Sequence, residues 1–222
     1  MDRVSVVIPC HNQASYLGAA IVSVINQSYR PFEIIIVDDG SNDGSDEVAA
    51  SFGNQVRLIA QSNQGVAAAR NRGVAASGGD VLAFLDADDV WPMESLACRL
   101  AVMAAADAEL VFGRIRQCLG RPAADAPSSG PEQPGRLAGA MLVRRPAFER
   151  VGWFDERLRS AETVDWVARA DEVALRQASC EATVLFRRVH STNMTRNRAA
   201  TDPNSLAVLR SVVARRRAQR SD

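Results

Sequence analysis

The sequence predicts an α/β fold with a mostly parallel central sheet. Three observations carry this expectation. Short apolar, β-branched runs alternate with helical segments through the first half of the chain. The runs are apolar at every position, as in strands covered on both faces of a parallel sheet. Three of them end in polar clusters, at Pro9–Asn12, Asp38–Ser41 and Asp86–Asp89. Ligands of open parallel sheets bind beyond the carboxyl ends of the strands, so the coincidence marks a site.

Taken in order, Val4–Ile8 reads as a buried strand ended by Pro9. Tyr16–Gln27 places Leu17, Ala20, Ile21, Val24 and Ile25 at helical spacing. Phe32–Val37 is a second strand, Asp43–Phe52 a helix and Val56–Ala60 a third strand. Gly65–Ala76 is Ala-rich and helical, stopped by Gly78-Gly79. Val81–Leu85 is a fourth strand, and Pro92 suits the first turn of a helix reaching Ala106. This β-α-β-α-β-α-β-α order is Rossmann-like. A strand at Leu110–Arg116 precedes a Pro-, Ala- and Ser-rich segment, Gly120–Arg136, that reads as a mobile loop. An apolar stretch resumes at Leu137, with helices at Pro146–Val151 and Thr163–Glu172 and a late strand at Thr183–Phe186. From Ser205 the tail is an amphipathic basic helix, suited to packing on the domain or to peripheral contact with an anionic membrane.

Composition excludes several chemistries. The chain has 222 residues, and its 26 basic side chains are all Arg. Without Lys there is no Schiff base, no pyridoxal anchor and no Walker-type phosphate loop. The 26 acids balance the charge, which argues against a nucleic-acid binder. The balance is uneven along the chain: residues 1–95 hold 12 acids and 5 Arg, and residues 96–222 hold 14 acids and 21 Arg. An acidic half thus joins a basic half expected to meet the second substrate. Cys10, Cys98, Cys118 and Cys180 lack metal-ligand spacing and read as free thiols of a reducing compartment. No secretory leader and no transmembrane segment is visible, so the expected location is the cytoplasm.

The clusters point to one divalent ion and a phosphate. Asp86, Asp88 and Asp89 would repel one another without a cation, and oxygen ligands at a strand end suit Mg²⁺ or Mn²⁺. A helix cap near Trp91 explains Asp89 but not all three. Asp38 or Asp39 also fits an Asx turn beside Gly40. Arg70 and Arg72 fit either a helix dipole or a diphosphate grip. No GxGxxG follows the first strand, and there is no GxSxG elbow.

Four motifs carry a resemblance: Val4-Ser5-Val6-Val7-Ile8-Pro9-Cys10-His11-Asn12; Ile36-Val37-Asp38-Asp39-Gly40-Ser41-Asn42-Asp43; Asn63-Gln64-Gly65 through Ala69-Arg70-Asn71-Arg72-Gly73; and Phe84-Leu85-Asp86-Ala87-Asp88-Asp89 with Pro92. In this order the chain resembles glycosyltransferase family 2, inverting enzymes with the A-type nucleotide-sugar fold. Weaker echoes lie at 139–145, at Val151–Glu156 and at Arg188-Val189-His190. The resemblance implies a single Rossmann-like nucleotide-diphospho-sugar transferase domain over 1–222. A nucleotide-and-metal half would span 1–109. An acceptor-side portion would span 110–204, with a mobile loop at 119–136, and the basic helix would span 205–222.

It also implies roles. Pro9, His11, Asn12 and Asp39 would line the base pocket, with His11 where Tyr is common. Arg70 would lie against the base or diphosphate, with Arg72 a weaker candidate. Asp86 would contact the ribose, and Asp88 and His190 would bind Mn²⁺ or Mg²⁺. The donor would be a nucleotide diphosphate sugar, a UDP-sugar above others, and the acceptor a glycan, lipid, peptide or small molecule. The general base usually comes from a Glu-Asp pair opening a late helix. Here the segment is Ala161-Glu162-Thr163-Val164-Asp165-Trp166, so Thr163 replaces the usual Asp and Asp165 or Glu162 is the substitute. A protein that binds the nucleotide sugar without transferring it is the alternative that Thr163 opens. A nucleotidyltransferase is disfavoured by the missing basic phosphate loop.

Overall fold

The computed structural model describes residues 2–119 and 130–189, with Val208, Ser211 and Arg215. Eight strands form one sheet: β1 Val4–Cys10, β2 Glu33–Asp38, β3 Arg57–Ala60, β4 Val81–Phe84, β5 Leu110–Leu119, β6 Glu132–Pro134, β7 Met141–Arg144 and β8 Gln177–Val189. The helices are α1 Ala14–Ile25, α2 Ser45–Ala50, α3 Val66–Ala76, α4 Ser95–Ala105, α5 Arg145–Val151 and α6 Glu162–Glu172. The strand order is β3-β2-β1-β4-β7-β5-β6, with β8 also paired to β5. The pairs among β1, β2, β3 and β4 are parallel. β7 is antiparallel to both β4 and β5, so it joins the two halves of the sheet.

The continuous apolar runs have a simple cause. Along β1, Val4, Val6 and Ile8 face a layer built from α1 and α4, while Val7 faces α3, α5 and α6. Side chains alternate across a strand, and both faces are covered, so every position is buried. The run at β3 departs from this: it is the sheet edge, and Arg57 and Ala60 are exposed.

Pro9 does not end β1, which continues to Cys10. The last rung with β4 is Val7↔Phe84, and Leu85 N–H donates to the Val7 carbonyl. Pro9 faces the same side as Val7, where β4 has already ended, so its missing N–H costs no ladder bond. Three further expectations change. Residues 132–134, read as loop, form β6 against Arg114–Arg116. The late strand is longer than Thr183–Phe186, because β8 pairs with β5 along its length. The apolar stretch after Leu137 contains β7. Val208, Ser211 and Arg215 are helical, as the tail predicts, and Val208 is buried. Among the described residues no helix is long and apolar enough to cross a membrane.

α3 packs tightly on β1 at Gly73, with Ala67 and Ala69 buried in the same cluster as Val7. A Cβ on Gly73 would lie 2.3 Å from Val7 Cγ1 and 3.2 Å from Val7 Cβ. Gly73→Ala is therefore expected to lower stability by about 1–3 kcal/mol through overpacking, although Ala favours helix. Urea unfolding of the variant checks this, and a gain in stability would show that α3 can lift off β1 freely.

Candidate functional site

The carboxyl ends of β1, β2 and β4 converge as the motifs require. Behind β2, Asp38 closes a turn: its carboxylate accepts the Ser41 N–H at 3.2 Å and the Ser41 hydroxyl. Gly40 occupies this turn at φ +75, and a Cβ there would stand 2.9 Å from the Asn63 nitrogen. The Asx reading thus belongs to Asp38. Asn12, at φ +53, ties the β1 loop to the β2 loop: its N–H donates to Ser41 Oγ and its Oδ1 accepts the Asn42 N–H, both at 2.9 Å.

Asp39 is buried and organises the segment entering α3. It accepts Gln61 Nε2, the Gln64 N–H and the Gly65 N–H, each at 2.8 Å. His11 is exposed, and its Nδ1 lies 2.9 Å from the Asp39 carbonyl. A carbonyl only accepts, so Nδ1 carries the proton and Nε2 accepts from Asn63 Nδ2 at 3.0 Å. His11 and Asn12 therefore form an open polar rim beside the buried Asp39, and Pro9 is buried within β1. A cavity of about 420 Å³ lies elsewhere, between Phe112–Arg114, Pro134–Arg136 and Gln177–Glu181, and none of the rim residues lines it.

At the end of β4, Asp86 and Asp88 are half-buried and Asp89 is buried. Asp89 does not cap a helix, since α4 begins only at Ser95. It accepts the backbone N–H of Arg188 at 2.8 Å, beside the Val90–Phe186 bridge, and so fastens the acidic loop to β8. Burial, then Asp88 and Asp86, push the Asp89 carboxyl well above the usual range. His190 lies outside the described residues. Among the described residues no three His, Cys, Asp or Glu side chains form a metal-binding group by themselves.

Arg70 has a different setting from the one expected. It is buried inside α3, and it donates from Nη2 to Asp86 Oδ1 at 2.6 Å and from Nη1 to Glu162 Oε1 at 2.5 Å. Its guanidinium lies 5.7 Å from the Phe154 ring centroid, and its Nε has no partner among the described residues. Burial opposes the charge, but Asp86 and Glu162 outweigh it and raise the pKa above the ordinary arginine value. Asn71 holds the neighbouring segment, exchanging hydrogen bonds with the Phe154 backbone at 2.9 and 3.0 Å and donating to Glu156 at 2.8 Å. Arg72 is exposed.

α6 opens at Ala161, in the left-handed region at φ +61. Glu162 is buried, and the Thr163 hydroxyl donates to the same Oε1 at 3.0 Å. Asp165 turns to other partners. Its Oδ2 accepts Arg169 Nε at 2.9 Å and its Oδ1 accepts Arg215 Nη2 at 3.3 Å. Arg215 also reaches Glu172 at 2.9 Å. Glu162, not Asp165, is the carboxylate that the fold brings to Asp86. Sequence reasoning missed three contributors: Gln61, Phe154 beneath Arg70, and Arg188, whose guanidinium stacks 4.5 Å from the Tyr16 ring centroid. Tyr16 was legible only as a helix residue, because its partner lies on the last strand.

The family model described as glycosyl transferase family 2 matches residues 5–163. An uncharacterised glycosyltransferase of Nostoc sp. is 47% identical over 98 residues, 42% of this chain and 30% of that protein. The glycosyltransferase AglE of Haloferax volcanii is 31% identical over 186 residues, 76% of this chain and 61% of that protein. The crystal structure of S. aureus TarS 1-349 in complex with UDP-GlcNAc superposes with a TM-score of 0.78 at 19% identity, covering 96% of this chain and 66% of that one. The TarS 1-349 complex with UDP gives 0.71 at 20% identity, covering 84% and 60%. This chain spans less than two thirds of the length of these relatives.

Arg70→Met would leave Asp86 and Glu162 facing each other without their cation. Breaking a buried pair typically costs about 3–5 kcal/mol. The low end, about 3 kcal/mol, is expected because the Asp86 side chain is 40% exposed. Chemical denaturation measures it, and a loss below about 1 kcal/mol would mean that α3 and α6 are held by something else.

Proposed function

Because this chain belongs to glycosyl transferase family 2, we propose that it moves a sugar from a nucleoside diphosphate sugar, uridine-based, to an acceptor hydroxyl or similar nucleophile. The transfer would be a single displacement with inversion. One observation carries the reading: the Arg70 guanidinium joins Asp86, at the end of β4, to Glu162, at the start of α6. A donor-side carboxylate and an acceptor-side carboxylate thus share one edge of the site. The crystallised complexes of S. aureus TarS with UDP and UDP-GlcNAc support a uridine donor.

The base would sit against Pro9, His11, Asn12 and Asp39. Three donors already occupy the Asp39 carboxylate, and a carboxylate offers about four acceptor sites. One site therefore remains for a base N–H, in a direction the Gln61, Gln64 and Gly65 donors fix. Asp86 keeps Oδ2 for the ribose, since Arg70 holds Oδ1. The donor set fits Mg²⁺ or Mn²⁺, which take one or two carboxylates and complete their shell with water and substrate phosphates. Asp88 would hold the ion, joined by His190. When bound, the ion supplies charge neutralisation at the leaving diphosphate.

Glu162 would be the general base. Its Oε1 is fixed by Arg70 and Thr163, and its Oε2 has no donor among the described residues. Oε2 would take the proton of the attacking hydroxyl, while Thr163, neutral near pH 7, only orients the carboxylate. Arg70 acts as a positioning residue, because both its terminal nitrogens already hold carboxylates.

Titration calorimetry with UDP is expected to show binding that requires Mn²⁺ and is lost in Asp88→Asn; undiminished binding after chelation would remove the metal from the reading. Release of UDP from a panel of UDP-sugars, with candidate acceptors, tests the base. Glu162→Gln is expected to lower turnover by about 10²–10⁴-fold, and Asp165→Asn to leave it near the parent value. The reverse pattern makes Asp165 the base. Tight UDP binding with no transfer from any donor makes the chain a nucleotide-sugar binder, an outcome for which Thr163 supplies the reason.

A further inference from the structure

Two thiols outside the proposed site meet across the interface between α4 and β8. Cys98 lies on α4 and is partly exposed; Cys180 lies on β8 and is buried. The Cys98 side chain packs against the core cluster that contains Cys180, Val184 and Leu185. α4 packs directly on β8, which brings Cys98 against the cluster that holds Cys180.

The irregularity of β8 produces this meeting. Cys180 pairs with Gly113, Thr183 with Arg114 and Leu185 with Ile115, so two register shifts compress the strand. Five steps along β8 advance only two steps along β5, about 7 Å instead of about 16 Å. Cys180 is thereby drawn towards the level of Val184, whose carbonyl accepts the Ser95 hydroxyl at 2.7 Å. Ser95 and Cys98 stand three residues apart on α4, a rise of about 4.5 Å. The Ser95–Val184 bond therefore anchors the first turn of α4 on β8, one turn before Cys98.

A third group completes the setting. Arg99 is fully buried with no carboxylate partner among the described residues. It donates to the Ser95 carbonyl, to Ser95 Oγ and to the Met141 carbonyl, all at 2.9 Å, and lies 4.6 Å from the Trp91 ring centroid. An uncompensated cation beside two thiols favours a thiolate. Burial works the other way and pushes the Cys98 thiol up to about 11, with Cys180 adding to the rise and Arg99 opposing it. Exchange is thus slow near neutrality and accelerates as pH rises.

We propose that Cys98 and Cys180 are an oxidation site of this protein, closing to an intramolecular disulfide that joins α4 to β8. The oxidant is a low-molecular-weight disulfide. The Cys98 thiolate attacks one of its sulfurs, forming a mixed disulfide and releasing one thiol. The Cys180 thiolate then attacks the Cys98 sulfur, releasing the second thiol. Two cysteine thiols lose two protons and two electrons, and the oxidant gains both as two thiols. Cys98 enters first because it is the less buried of the two, and Cys180 resolves the adduct.

The test uses the folded full chain incubated with oxidised glutathione, alkylated, and digested without reduction for mass spectrometry. The expected result is a Cys98–Cys180 linked peptide lacking two hydrogen masses, dissolved by reductant, with Cys10 and Cys118 left as thiols. A persistent glutathione adduct on Cys98 beside a free Cys180, a link to Cys10 or Cys118, or no change at any cysteine overturns the proposal. Cys98→Ser, at the less buried position, is expected to abolish both the link and any adduct on Cys180. Glutathione on Cys180 in that variant would overturn the order of attack. Cys180→Ala keeps the core apolar and is expected to stop at the Cys98 adduct; full protection of Cys98 there would overturn it as well.

Discussion

A buried guanidinium links the two halves of this chain at the site, and much of the site's geometry follows from it. Arg70 sits on α3, and its partners come from the end of β4 and the start of α6. A cation removed from water needs counter-charge at close range, and here one cation meets two carboxylates. The pair depends on how α3 seats on the sheet. The small residues Ala67, Ala69 and Gly73 lower it onto β1. Asn71 then binds the backbone of Phe154, which places that ring under the guanidinium. Packing fixes the height of the helix, and the helix fixes the charge.

The same logic runs through the rim. Asp39 acts as a knot, because its three donors shape residues 61–65 ahead of α3. A loop already ordered by a carboxylate loses little freedom when a ligand arrives. The acidic loop after β4 is ordered in the same manner, through the Arg188 N–H on Asp89. The loops after β2 and β4 are therefore fastened to different elements, one to the segment entering α3 and the other to β8.

The parts legible in the sequence are those set by neighbours in the chain. β1, β2 and β4 show as apolar runs because both faces of the sheet are covered, and the motif residues stand at their ends. β6, β7 and the full length of β8 do not show, since pairing with β5 and not composition makes them strands. Within the site, Asp39 and Asp86 stand out as carboxylates at strand ends. The choice between Glu162 and Asp165 is not legible at all. They are three residues apart on one helix, and what separates them is Arg70, 92 residues before Glu162, and Arg215, 50 residues after Asp165. The helix-dipole reading of Arg70 failed for the same reason: it weighed only the helix the residue belongs to.

The charge asymmetry acquires a meaning different from the one it has in the sequence. A basic second half suggests a surface waiting for an acidic or polar partner. Part of that charge is instead directed at the first half. Arg144 pairs with Asp2, Arg145 binds the Gly79 and Ser77 carbonyls, and Arg188 stacks on Tyr16. These contacts use the planar, multidentate character of the guanidinium: Arg145 alone bonds two carbonyls and a hydroxyl, and Arg70 bonds two carboxylates at once. An ammonium has the charge but not the fork. Whatever drift in codon usage removed Lys from this chain, the junction between its halves is built from geometry that Lys does not supply. Replacing these arginines by lysine would conserve the net charge of zero and still loosen the seam at which Asp86 and Glu162 meet.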